Sequence, residues 1–159
     1  MILSIDPGNE KSAYVIMEDD TILDKGIKPN RELLCQMWGT TGDYDLAIEM
    51  IASYGMAVGK TVFETVFWIG RFWEVWNSKA RNCTKVYRKD VKMYLCNSMR
   101  ANDSNIRQAI LDRYPAMGGG KCPQVGTKKD PGPLYGVSKD VWAAIGVGLT
   151  YQNDPQFKV

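Results

Sequence analysis

Two acids sit where apolar residues belong. In ILSIDPGN (residues 2–9) Asp6 closes a run that reads as a buried strand, and in DLAIEM (45–50) Glu49 does the same after Leu46, Ala47 and Ile48. An isolated carboxylate in a dry core costs several kcal/mol unless it is paired, protonated or bound to a metal. A third acid, Asp140, opens a last helical segment, VWAAIGVGLTY. Gathered carboxylates repel one another unless a divalent cation neutralises them, and two oxygen-ligated cations about 4 Å apart are a standard means of phosphoryl transfer on nucleic acids. The chain has no histidine, which removes the commonest general base and leaves carboxylates, Lys, Tyr and Cys for any chemistry. Each acid also has a plainer use. Asp6 before Pro7 and Gly8 is a turn former, and Asp140 suits the first turn of a helix, where the macrodipole favours negative charge.

The elements that must position these acids follow from the hydrophobic pattern. Residues 2–6 and 12–17 read as strands joined by a turn at Pro7, Gly8 and Asn9, and DDTILDKGI continues as a third strand, giving an antiparallel trio. NRELLCQMW has helical spacing with Asn30 as its cap, and DYDLAIEM is a short buried strand ending at Glu49. A helix over 60–80 is apolar almost all round, and its Phe63, Phe67, Trp68, Phe72, Trp73 and Trp76 exceed what one sheet face covers. A second copy of the chain is the expected cover. CTKVYR reads as the fifth strand, followed by helices in KDVKMYLCNSM, in DSNIRQAILDRY with Asp103 as cap, and in VSKDVWAAIGVGLTY. MGGGKCPQVGTKKDPGPLYG, rich in Gly, Pro and Lys, reads as a mobile basic loop or a linker within the domain. The β-β-β-α-β-α-β-α order predicts an α/β fold with a mixed five-stranded sheet flanked by helices, in a single domain over 1–159.

Composition bounds the partners. With 159 residues, 45% hydrophobic and 24% charged, the chain suits one soluble globular domain with its own core. A net charge of +2 is too mild to mark a nucleic-acid binder, so the distribution has to carry that reading. Lys79, Arg81 and Lys85, then Arg88, Lys89 and Lys92, then Lys121, Lys128 and Lys129 gather in the second half, while the first half is more acidic. Any one group suits a solvated face; together they suit a duplex-binding surface beside the acids. Cys35, Cys83, Cys96 and Cys122 form no C-x-x-C pair, so reduced thiols and a cytoplasmic setting are expected, without a signal peptide. No apolar run approaches the roughly 20 residues that span a bilayer, and no membrane partner is expected. GMAVGKT (55–61) imitates a phosphate-binding loop but is one residue short, so no nucleotide cofactor is expected.

Taken together, ILSIDPGNEKSAYVI, DLAIEMI and KDVWAAIGVGLTY resemble the RuvC-type Holliday junction resolvases of the RNase H-like superfamily, phage-encoded members above all. The resemblance spans nearly the whole chain. It implies an RNase H-like sheet and a homodimeric endonuclease that resolves four-way DNA junctions by paired symmetric nicks. It assigns Asp6, Glu49 and Asp140 as catalytic ligands of two Mg²⁺ per site, with Mn²⁺ able to substitute. Tyr54 and Met56, in the loop after Glu49, are then placed to wedge into the junction centre, and Arg88, Lys89, Lys92, Arg107, Lys121, Lys128 and Lys129 to contact the DNA. Ala143 stands one helical turn after Asp140, where the family commonly carries a further acid. Asp103 occupies the region of a lysine found in cellular members, which leaves Lys92 and Arg107 as candidates for that role. Two alternatives stay open: a broader branched-DNA or RNA-processing nuclease on the same fold, and a non-catalytic junction-binding protein that lacks the fourth acid.

Overall fold

The computed structural model describes residues 1–158. Strands β1 (Ile2–Asp6), β2 (Lys11–Glu18) and β3 (Thr21–Pro29) lead into helix α1 (Asn30–Gly39) and strand β4 (Asp45–Met50). Helix α2 (Lys60–Asn77), strand β5 (Cys83–Tyr87) and helices α3 (Arg88–Cys96), α4 (Asp103–Leu111) and α5 (Val141–Asn153) follow, with a short 3-10 turn over Pro155–Phe157. The five strands form one mixed sheet in the order β3-β2-β1-β4-β5. β1 to β3 pair antiparallel, whereas β4 lies parallel to β1 and β5 parallel to β4. The carboxyl ends of β1, β4 and β5 therefore share one edge of the sheet, the edge at which open α/β sheets bind ligands.

Strand alternation assigns the faces. Leu3, Ile5, Leu46 and Ile48 point into a core closed by α1 and α2, while Ile2, Ala47 and Val86 point into one closed by α3, α4 and α5. By the same parity Asp6 and Glu49 face the α5 side. Their strands are in register, Ser4 opposite Ala47 and Ile5 opposite Ile48, so the two acids stand side by side one step beyond the last paired residues.

α5 lies against this face at close range. A Cβ at Gly148 would come within 2.4 Å of the Met17 sulfur and 2.9 Å of Ser4 Oγ, so the close approach needs glycine. The buried Ser4 hydroxyl donates to the Ala144 carbonyl at 2.8 Å, pinning the helix to β1. Of the small residues that mark this helix, Ala144 and Gly148 meet the sheet, whereas Gly146 faces Val91, Leu95 and Ile106 of α3 and α4.

Four local expectations need correction. Asn30 does not cap α1: the position before the helix is Pro29, and Asn30 is buried against the first turn of the chain. α4 is capped by Asn102, which exchanges hydrogen bonds with Asn105, and Asp103 is the first helical residue. The segment from 117 to 136 is no loose linker. Leu134 and Val137 are buried in the α5 core, and the backbone of Gly118 runs against Gly126 and Gly132, leaving no room for a side chain at any of the three. The amide of Gly118 donates to Pro123, that of Gly119 to Asp130 and that of Gly132 to Val125, so the glycines serve backbone contact and not mobility. In α2, Phe72 and Trp76 are fully buried against the sheet, so the excess aromatic surface is that of Phe63 and Phe67, about two-thirds exposed.

Candidate active site

Asp6 ends β1 where the chain must turn back, and that turn is locked by buried polar residues. The Gly8 amide donates to Ser12 Oγ at 3.1 Å, Ser12 Oγ donates to Asn30 Oδ1 at 2.6 Å, and Asn30 Nδ2 donates to the Gly8 carbonyl at 2.9 Å. A Cβ at Gly8 would lie 2.3 Å from the Lys11 carbonyl oxygen, so glycine is required for the tight return. β4 is paired to β1 as far as Ile48, and Glu49, one step beyond, lies opposite Val86 of β5. Asp140 follows Lys139, whose φ of 48° lies in the left-handed region, and stands at the start of α5 without capping it.

The three acids line one cavity of about 460 Å³, together with Arg88, Asp103, Arg107, Lys139, Trp142 and Ala143. A second hollow of about 270 Å³ shares Asp6, Glu49 and Arg88 and is closed by Pro7, Ile51 and Tyr54. Burial pushes the Asp6 carboxyl up from 3.8 to about 8, reinforced by the charge of Glu49, a hydrogen bond to Glu49 and the charge of Asp140. Glu49 is raised too, mainly by burial, although the Arg88 guanidinium and the Asp6 hydrogen bond act in the other direction. Arg88 reaches Glu49 Oε1 at 3.8 Å through Nη1 and hydrogen-bonds Asp103 through Nη2. Asp6 and Glu49 are thus a pair that holds either a shared proton or a cation.

The donor set is compatible with a hard divalent ion. Mg²⁺ keeps several waters and is commonly held by one or two carboxylates, which the Asp6 and Glu49 pair supplies. Among the described residues no three acids or cysteines come together as a closed ligand set, so Asp140 lines the same cavity without standing as a close third ligand beside Asp6 and Glu49. Asp140 is exposed, in contrast to the half-buried pair.

No protein-family profile and no curated protein sequence matches the chain. Solved structures do. A structure of RuvC from Thermus thermophilus superposes with a TM-score of 0.60 at 12% identity, covering 95% of this chain and 92% of that one. RuvC from the same organism in complex with its Holliday junction substrate superposes with a TM-score of 0.63, at the same identity and coverage. The chain has a RuvC-like fold. The expected α/β class, with a five-stranded sheet whose first three strands are antiparallel, is what the structure contains.

Within this RuvC-like fold the remaining candidate residues divide. Arg88 and Arg107 reach the main cavity, Arg107 with its guanidinium 4.8 Å from the Trp142 ring centroid. Tyr54 borders the second hollow, and both it and Met56 are well exposed in the loop between β4 and α2. Lys89 and Lys92 lie on α3 and line neither cavity, and Lys121, Lys128 and Lys129 are exposed on the packed loop. Two other basic residues are structural. Lys79 Nζ donates to the carbonyls of Met37, Trp38 and Thr40, and Arg81 to that of Thr40, so both close the end of α1. Sequence reasoning missed Ser12 and the role of Asn30, which fix the turn after Asp6, and took Asp103, a cavity residue, for a helix cap. Lys139, which also lines the cavity, is adjacent to Asp140 in the motif; Ser12 lies close to Asp6 in sequence but carries no charge or pattern to mark it, and Asn30 and Asp103 reach their places only through the fold.

Proposed function

We propose that the chain is a divalent-metal-dependent endonuclease that resolves four-way DNA junctions by paired nicks, acting as a homodimer. The observation that carries this reading is the Asp6 and Glu49 pair, side by side at the carboxyl edge of the sheet and facing a cavity that Asp140 also lines. The RuvC-like fold over 95% of the chain, including a neighbour bound to a Holliday junction, supports a junction substrate. A divalent ion, if held by this pair, would supply an activated water and charge stabilisation for the leaving oxygen. Asp6 and Glu49 would hold the ion, and the proton that burial and proximity keep on the pair would be lost to solvent in exchange. Asp140 adds negative charge from the start of α5, while Arg88, Arg107 and Lys139 offset the acids and give phosphates a place to dock. Tyr54, exposed beside the second hollow, is positioned to stack on a base at the junction centre. The exposed Phe63 and Phe67 on α2, with Val66 between them, supply the apolar face for a second copy.

The deciding assay is cleavage of a synthetic four-way junction with and without Mg²⁺, beside duplex, fork and RNA controls. Metal-dependent nicking confined to the junction supports the reading, and equal nicking of fork or RNA supports the broader nuclease. A second reading has one observation in its favour. Ala143 lines the cavity one turn after Asp140, where a further acid was expected. Tight junction binding with no cleavage even in Mn²⁺ would establish a non-catalytic junction-binding protein.

A further inference from the structure

Arg88 is the first residue of α3, where the partial positive charge of the helix terminus disfavours a cation. Two acids keep it there. Its guanidinium is hydrogen-bonded to Asp103 but only 3.8 Å from Glu49, beyond hydrogen-bond distance. Asp103 is free for this role because Asn102, not Asp103, caps α4, and the Asn102–Asn105 exchange fixes the start of the helix that carries it. Arg88 also walls both hollows, so its direction decides what stands beside Glu49. Besides Asp103, Glu49 is the carboxylate that Arg88 approaches closely, at 3.8 Å, and a guanidinium that swings to pair with it through two parallel bonds takes the lone pairs a metal ion needs.

We propose that Asp103 is a positioning residue that holds the Arg88 guanidinium off Glu49, leaving Glu49 open to a divalent cation and Arg88 on the cavity wall to receive a backbone phosphate. The proposal rests on the nuclease reading of the site. Asp103 acts through Arg88 and touches neither the ion nor the reacting phosphate.

The test is calorimetric titration of the DNA-free protein with MnCl₂ and with MgCl₂, comparing wild type, Asp103→Asn, Asp103→Glu, Arg88→Gln and the Asp103→Asn/Arg88→Gln double variant. Asp103→Asn should weaken cation binding by about tenfold or more, as loss of an outer-shell partner commonly does. Asp103→Glu should retain most of the affinity. Removing the guanidinium from the Asp103→Asn background should restore binding to the wild-type level or better, which a general loosening of α4 cannot do. Wild-type affinity in Asp103→Asn overturns the proposal, and so does a double variant as weak as Asp103→Asn. Absence of cation binding in the wild type overturns the nuclease reading itself, and the proposal with it.

Discussion

At the scale of single residues, the site is governed by the cost of holding two carboxylates together. Asp6→Asn and Glu49→Gln should abolish cleavage and leave junction binding intact or tighter, since an amide keeps the shape and removes both metal affinity and repulsion of phosphate. Wild-type nicking by either variant, in a gel assay, would sink the assignment. The raised Asp6 carboxyl, at about 8 against 3.8, also makes the metal-free fold pH-dependent. Between those values the folded protein keeps a proton that the unfolded chain has lost, so stability falls as pH rises through this window. Asp6→Asn removes the penalty. In chelator it should melt above wild type at about pH 8 and close to wild type at about pH 4, by calorimetry, and the gap at the higher pH should narrow when Mg²⁺ is added to wild type. Asp140→Asn should slow cleavage by about a hundredfold, equivalent to about 2.7 kcal/mol of transition-state stabilisation. A Mg²⁺ titration of cleavage by that variant and by Ala143→Asp, which adds an acid to the cavity wall, checks this; undiminished cleavage by Asp140→Asn would assign the third acid elsewhere. These three positions were legible in the sequence because charge inside or beside an apolar run is costly and so conspicuous. Asp103 was misread because it adjoins the true cap and both residues favour helix starts; only the fold brings Arg88 from the end of β5 to meet it.

At the scale of elements, two contacts set the geometry. Gly148 has no space for a methyl group between Met17 and Ser4, so Gly148→Ala should cost about 1–3 kcal/mol in a denaturant melt. Gly146→Ala, whose nearest neighbour is a Val91 methyl at 3.1 Å, should cost less. A larger loss at Gly146 than at Gly148 would mean that α5 sits rotated from this position. The strands, their order of appearance and the helical periodicities were all readable, because alternation and 3.6-residue spacing report directly on burial. The turn after Asp6 was readable only in part. Ser12 and Asn30 are 18 residues apart and carry no pattern; their pairing exists because β2 and β3 lay them together. The Gly-rich segment was misread for a different reason. A composition of Gly, Pro and Lys is shared by free linkers and by loops whose backbone strands touch, and only the contacts among Gly118, Gly126 and Gly132 separate the two.

At the scale of the whole molecule, the sheet divides two unlike halves. One face carries α1 and α2 and presents exposed aromatic surface; the other carries α5 and the acids. Phe63→Glu or Phe67→Glu should therefore give folded monomers at micromolar concentration in light scattering, with junction cleavage reduced, whereas Phe72→Glu should fail to fold because that ring is fully buried. Wild type that runs as a monomer would refute a dimer built on this face. The excess of aromatics in α2 was visible in the sequence, but which of them face outward depends on the angle at which the helix meets the sheet. The pinning of α5 by Ser4 carries a further consequence for synthesis. β1, β2 and β3 precede every helix in the chain, and β4 brings Glu49 beside Asp6 soon after. Asp140, and the helix whose Ala144 carbonyl receives the Ser4 hydroxyl, are translated only after every strand is complete. A chain that folds in the order of its residues thus carries half of the candidate site, with one face of its sheet uncovered, until α5 follows, and the proposed activity would wait on that helix.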